Sequence, residues 1–426
     1  MKKKDKDLKW RKLDNSAKVF PLIEGKKYST VFRISAVLNE DIDKDVLQRA
    51  VEKALNRYRS YKVRMKRGFF WYYLEENEAK IKVEKERDYP CKHIDPKTNN
   101  NYIFKVTYFK NKINVDIFHS LTDGNGGKDF FREIIYTYIE LKHPDVFNKE
   151  YRIPRIIENN TEDGYIKNYD KVKRTRKAQK QAYMIKGPQL PLGATGVIHG
   201  IIDIEELKKV CKEKNVTVTE FLTANLIYSI YTENMKNDCK KPIRTCVPVD
   251  LRRYFSSKTM TNFFSYMILE ANMGKDRLHN FEDILAFVKS DFEKQLDKEE
   301  MLKTITESVR LWTNIIARLV PLRIKEFFVK LGYRVIRRYM TVTFSNIGRI
   351  GFIGKYMDYI KYCMILIAPG HYERIKCSSC TYENNFVFTF TTILNDIKIE
   401  KRFFELLKEQ GIKVEIESNG VLDAIS

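Results

Sequence analysis

Between residues 150 and 195 the chain loses its apolar periodicity. Polar and basic side chains take over, Pro154, Pro188 and Pro191 punctuate the stretch, and Lys171 to Lys177 forms a basic run. Prolines among unpatterned polar residues suit neither a helix interior nor a buried strand, so this stretch divides the molecule. A chain of 426 residues also exceeds what one hydrophobic core ordinarily organises. The expected organisation is a first subdomain over residues 1–165, a crossover linker over 166–195 and a second subdomain over 196–426.

Both flanks show the same coarse mixture of strands and helices. In the first, residues 29–39 read as a strand, and Leu47, Ala50, Val51, Ala54, Leu55 and Tyr58 fall on one helical face. Strands are expected at Ile103–Phe109 and Ile113–Phe118 with a tight turn at Lys110 to Lys112, then a helix from about Lys128 to Lys142. The second flank starts with a strand near Val197–Ile204 and carries a long helical stretch over about 280–340, broken near Pro321. It ends β-rich, with strands at Val342–Ser345, Tyr362–Ile367, Arg374–Thr381 and Phe386–Thr392.

His119 closes the strand Ile113–Phe118. Ser-Leu-Thr-Asp-Gly-Asn-Gly-Gly follows, and then the helix. Clustered glycines let the chain turn sharply and approach a ligand closely. An imidazole at a strand end, facing a loop, has an ordinary pKa of about 6.5 and accepts a proton near neutrality, as a general base must. Elsewhere, Cys377 and Cys380 have the spacing of a metal knuckle, but on a strand they point to opposite faces and cannot easily chelate or bridge. The other histidines are scattered, and no metal site is expected.

Lys and Arg number 78 against 56 Asp and Glu, a net charge of +22. Such a surface attracts polyanions, anionic lipid or a phosphorylated cosubstrate, and charge alone does not choose among them. No nucleic-acid-binding signature accompanies it, so no nucleic-acid partner is expected. Seven cysteines in a chain of this length suggest no disulfide framework, no 18-residue run is continuously apolar, and no secretory leader is expected from the basic start that no apolar stretch follows. The expectation is a cytoplasmic, monomeric protein.

His119, Asp123 and Gly124 form a His-x-x-x-Asp-Gly motif. With it stand Leu13 to Phe20, Arg67 to Tyr72, Val247-Pro248-Val249-Asp250-Leu251-Arg252, Thr261 to Phe264 and Phe344 to Gly348. On these marks the chain resembles the chloramphenicol-acetyltransferase-like superfamily, and within it the bacterial alcohol acetyltransferase-like proteins. The resemblance implies an α+β fold of two α/β sandwich domains with mainly antiparallel sheets, V-shaped around an interdomain tunnel. It also implies roles. His119 would take the proton from an acceptor alcohol or amine, which attacks an acyl-CoA thioester; acetyl-CoA or another acyl-CoA is then a cosubstrate, and no tightly bound cofactor is needed. Asp123 would point away from the imidazole and pair with Arg252, which could otherwise be a solvated strand-end charge. The oxyanion would be met by the Gly124 N–H or the Ser345 hydroxyl. Ser345 and Asn346 match a cleft-lining segment but also suit an ordinary turn, and Asn262 matches a residue bracing the sheet beside the tunnel.

Two other functions stay open at this level. A condensation-type enzyme would draw its acyl group from a carrier protein, but its fuller motif has a second histidine where this chain has Phe118. A non-catalytic anion-binding protein is the other. Finally, residues 319–338 alternate Leu, Ile, Phe and Val with Arg and Lys. This reads first as a helix covering the second subdomain's core; the same pattern suits peripheral contact with an anionic membrane or the border of an apolar acceptor site.

Overall fold

The computed structural model describes residues 10–25, 28–147, 160–170, 181–235 and 240–422. The basic run Lys171 to Lys177 lies outside these residues.

Two main sheets organise the protein. The first has five strands in the order Ile360–Ile367, Val31–Leu38, Lys112–Phe118, Phe104–Phe109 and Val83–Lys85, antiparallel except for the last pair. The helices Lys44–Arg57 and Gly124–Lys142 pack against each other and close its core. Their apolar faces recur at helical spacing: Val46, Leu47, Ala50, Val51 and Ala54 on one, Phe130, Phe131, Ile134, Ile135 and Tyr138 on the other. The hairpin between the strands Phe104–Phe109 and Lys112–Phe118 turns at Lys110, whose φ is 50°.

The second sheet has seven strands: Phe264–Ala271, Ile243–Asp250, Val342–Arg349, Ile375–Tyr382, Asn385–Thr392, Gly196–Asp203 and Val414–Ser418. Only Val342–Arg349 runs parallel to its neighbours. The helices Val218–Ile230, Phe281–Gln295 and Lys398–Glu409 cover this sheet's core. The helical stretch near 280–340 breaks more often than expected, into Phe281–Gln295, Lys298–Thr313, Ile315–Leu319 and Leu322–Ile336. Asn280 and Asp297 cap the first two through their side chains.

Core membership crosses the expected sequence boundaries. Ile360–Ile367, from the second half, is an edge strand of the first sheet. Its residues Cys363 and Ile365 join the first core, whereas Tyr362, Met364 and Leu366 pack with Val197 and Val387 from the second sheet. Conversely, Tyr165 is buried in the second core. The alternation argued for Cys377 and Cys380 is realised: Cys377 packs in the second core and Cys380 in the first.

The segment 319–338 corrects the first reading made of it. Its helix Leu322–Ile336 does not cover the second core. It packs on the helix Phe20–Ile23, and Val329 and Tyr333 lie against the first core. Periodicity shows that a helix has an apolar face but not which core receives it.

Candidate active site around His119

The strand Lys112–Phe118 is the central strand of the five, buried from Ile113 to Phe118, and it delivers His119 to the sheet's end. The following loop is tied down from several directions. The His119 N–H donates to the Thr30 carbonyl (3.2 Å), the Ser120 hydroxyl to the Ala17 carbonyl (3.2 Å) and the Thr122 hydroxyl to the Met260 carbonyl (2.6 Å). Gly126 is required by this last approach. A side-chain carbon there would stand 2.1 Å from Thr122 Oγ1 and 2.4 Å from the Met260 carbonyl oxygen.

Asp123 holds the loop. Its Oδ1 caps the helix Gly124–Lys142 by accepting from the N–H groups of Asn125 (3.2 Å) and Gly126 (3.1 Å). Its Oδ2 accepts from Arg252 Nη1 and from the Phe263 N–H, both at 2.9 Å. Arg252 also donates to Asp250 Oδ1 (2.9 Å) and to the carbonyls of Thr259 (3.1 Å) and Thr261 (2.6 Å). Burial alone would destabilise this guanidinium's charge, but the two carboxylates outweigh it and raise its pKa. The pair therefore ties the motif loop to the second half of the chain.

The imidazole of His119 sits among three aromatic rings. Phe20 stacks on it at 4.6 Å between centroids, Phe32 meets it edge-on at 5.2 Å and Phe264 lies tilted at 5.4 Å. Its Nδ1 is 2.9 Å from Asn262 Oδ1. The orientation of that amide is settled by its other end: Nδ2 donates to Asp14 Oδ2 (3.0 Å) and to the His119 carbonyl (3.0 Å), both acceptors. The Asn262 oxygen therefore faces Nδ1, so Nδ1 carries the proton and Nε2 keeps a free lone pair. Burial holds the imidazole's pKa below its ordinary value, against the opposing effects of the Asn262 hydrogen bond and the Asp123 charge. At neutral pH the ring is neutral, in the tautomer able to accept a proton at Nε2.

Asn262 thus does more than brace the sheet: it is the direct partner of His119. Asp14 is a further residue that motif reasoning left unassigned. It is buried, accepts from the Ala17 N–H (2.8 Å) and takes both the N–H and the side-chain amide of Asn262 on Oδ2. Burial raises its pKa to about 6, with those hydrogen bonds pulling the other way. The only sequence signal for it was its place in the Leu13–Phe20 mark.

The remaining candidates separate. Gly124 opens the helix, and first-turn N–H groups have no intrahelical partner; those of Asn125 and Gly126 are taken by Asp123, which leaves the Gly124 N–H as a donor beside the motif. A side-chain carbon on Gly124 would come 2.9 Å from Ile347 Cγ2, so the strand Val342–Arg349 runs against the helix start. Ser345 shares the Thr343 face of that strand, opposite the core residues Val342 and Phe344. Asn346 faces the other way. Its side chain donates to Thr219 Oγ1 (3.2 Å) and accepts from the Gly348 N–H (2.9 Å), shaping the turn at Gly348, whose φ is 69°. It makes no contact with the His119 cluster among the described residues, and the turn reading holds for it.

We expect Asn262→Ala to lower kcat roughly tenfold or more, because the imidazole loses its enforced tautomer. A structural role alone would lower melting temperature without altering the pH profile. Loss of the tautomer lock instead shifts the acid limb of the kcat/KM profile along with the rate.

The chain's residues 200–348 match the alcohol acetyltransferase family model, a span holding Arg252, Asn262, Ser345 and Asn346. No curated protein matches the chain in sequence. Solved structures match almost end to end. Trichothecene 15-O-acetyltransferase TRI3 from Fusarium sporotrichioides is 10% identical with a TM-score of 0.64, covering 96% of each chain. TRI101 of F. sporotrichioides, solved with coenzyme A and T-2, is 11% identical with a TM-score of 0.64, over 95% of this chain and 99% of that one. The wax ester synthase/diacylglycerol acyltransferase of Marinobacter aquaeolei VT8 is 12% identical with a TM-score of 0.57, over 94% and 100%. The chain shares the two-domain α+β fold of these acyltransferase structures over nearly its whole length.

Proposed function

We propose that this protein is an acyl-CoA-dependent O-acyltransferase in which His119 is the general base. One observation carries the reading: Asn262, itself oriented by Asp14, holds the imidazole as the Nδ1–H tautomer with Nε2 unprotonated. In the proposed reaction the acceptor's hydroxyl proton passes to Nε2 as its oxygen attacks the thioester carbonyl. The resulting oxyanion is met by the Gly124 N–H and the Ser345 hydroxyl. Its collapse breaks the C–S bond, and the imidazolium returns the proton to the departing thiolate, so base and acid are one residue and no acyl-enzyme forms. Asp123 and Arg252 act as positioning residues that fix the loop carrying the base.

A thioester of coenzyme A is the donor this reading favours. TRI101, of the same fold, was solved with coenzyme A, and a chain of net charge +22 suits a donor bearing several phosphate charges. The position before His119 is Phe118, not the second histidine of a carrier-protein user. The KM for acetyl-CoA is expected to rise with salt while kcat changes little, since exposed charge pairs are screened over about 8–10 Å near physiological ionic strength. Kinetics across a salt series, run beside a pantetheine thioester lacking the nucleotide and a loaded carrier protein, check this. A salt-insensitive KM with equal use of the truncated thioester rejects phosphate recognition, and preference for the carrier protein moves the reaction to the condensation type.

A further inference from the structure

The helix Leu322–Ile336 is apolar on two faces, and only one is covered. Its inner face, with Leu322, Lys325, Glu326, Val329 and Tyr333, is held by the first half of the chain. Lys325 donates to the Phe70 carbonyl (3.1 Å) and lies over the Trp71 ring, and Glu326 accepts from Arg67 Nη2 (2.8 Å) and the Tyr72 hydroxyl (2.6 Å). Tyr333 bonds to Tyr28. On the opposite side Ile324, Phe327, Phe328, Leu331 and Val335 recur at steps of three and four residues, within an arc of about 100°. All are at least half exposed or nearly so, Phe327 at 65% and Phe328 at 62%. The stripe continues into Ile315 and Leu319 of the preceding helix. Phe69 joins at the helix start, where its carbonyl accepts from the Leu322 N–H (2.8 Å) and its ring is 71% exposed. Among the described residues nothing covers this ridge, and soluble monomers rarely leave so large a contiguous apolar surface open.

The charges beside the ridge choose its partner. Arg323, Lys330 and Arg334 form a stripe along one edge of the helix, and Arg318 and Arg338 extend it; all are exposed. The one acidic residue between 315 and 338, Glu326, is already engaged on the inner face. A second copy of the chain would set these cations against their own kind. A surface with an apolar interior and anionic headgroups complements both the phenylalanines and the arginines. No helix among the described residues is long and apolar enough to cross a membrane, so contact would be peripheral.

We propose that this ridge seats the protein on anionic lipid bilayers, with Phe69, Phe327 and Phe328 entering the headgroup–acyl boundary. This is independent of the acyl-transfer reading, because none of these residues belongs to the His119 cluster. The test is flotation of the full chain with phosphatidylcholine vesicles, with and without phosphatidylglycerol, alongside light scattering without lipid. Wild type should float with the phosphatidylglycerol vesicles and be released by salt. Phe327→Ser/Phe328→Ser should lower partitioning by roughly 30-fold or more, since two large apolar side chains no longer enter the membrane. Its melting temperature should stay near wild type because both side chains are exposed. Arg323→Gln/Lys330→Gln/Arg334→Gln should remove the preference for phosphatidylglycerol. Undiminished flotation of the phenylalanine variant would overturn the proposal, showing attraction by diffuse net charge alone. So would a wild-type dimer that the same variant dissociates while vesicle binding is unchanged, which would assign the ridge to a second copy.

Discussion

Replacing His119 by alanine is expected to lower kcat for acyl transfer by about 10²–10⁴-fold, the ordinary worth of a positioned general base. The fold should survive. The His119 ring packs between Phe20, Phe32 and Phe264, so its removal opens a small gap, but the loop around it remains tied by Asp123, Ser120 and Thr122 through bonds that do not use the imidazole. His119→Gln keeps more of the volume and should be as inactive, which separates loss of the base from loss of packing. The pH profile supplies a second check. Burial depresses the imidazole's pKa, so the wild-type acid limb of kcat/KM should fall below the ordinary histidine value of about 6.5, with activity level above it. An acid limb displaced above that value would contradict the buried, neutral state. So would retention of more than about a tenth of wild-type kcat by His119→Ala.

The second large effect is on stability. Asp123 and Arg252 pair at 2.9 Å, with their side chains only 7% and 15% exposed. Removing one partner of such a pair strands the other charge and typically costs about 3–5 kcal/mol. The two single variants should differ in kind. Arg252→Ala strands Asp123 and also deprives Asp250 and the carbonyls of Thr259, Thr261 and Phe263 of this donor. Asp123→Ala leaves Arg252 its bond to Asp250 but removes the cap of the Gly124–Lys142 helix and the acceptor for the Phe263 N–H. The double variant should be less destabilised than the sum, with a coupling of about 0.5–3 kcal/mol in a melting or denaturant cycle. Strict additivity would mean that the pair contributes nothing jointly.

The parts of this site legible in the sequence are those encoded locally. Alternation, a Gly-rich loop and a helical stripe placed His119 at a strand end before a helix, and the strand period separated Cys377 from Cys380. Arg252 lies 129 residues from Asp123, and only family resemblance linked the two. The contact that fixes the tautomer was harder still. Asn262 is 143 residues from His119, and Asp14 is 248 from Asn262. Neither residue sits in a pattern that distinguishes a buried hydrogen-bond partner from an ordinary polar residue, because the pairing arises only when the sheets meet. The same limit explains why the strand read at Tyr362–Ile367 gives no sign of joining the first sheet, and why the first reading of 319–338 places its helix on the wrong core. Asn346 shows the converse: adjacency to Ser345 in sequence suggested a shared site, whereas alternation along the strand sends the two side chains to opposite faces.

The measurement that bears most directly on the central claim is a time course of thiol release and ester formation from acetyl-CoA and a primary alcohol, with the intact protein's mass followed in parallel. Direct transfer to an acceptor deprotonated by His119 predicts thiol and ester in equal amounts from the first turnover. It also predicts negligible thiol release without the alcohol, and no acetyl group on the protein at any time. A burst of thiol in the absence of alcohol, with a matching acetyl mass on the protein, would contradict the account.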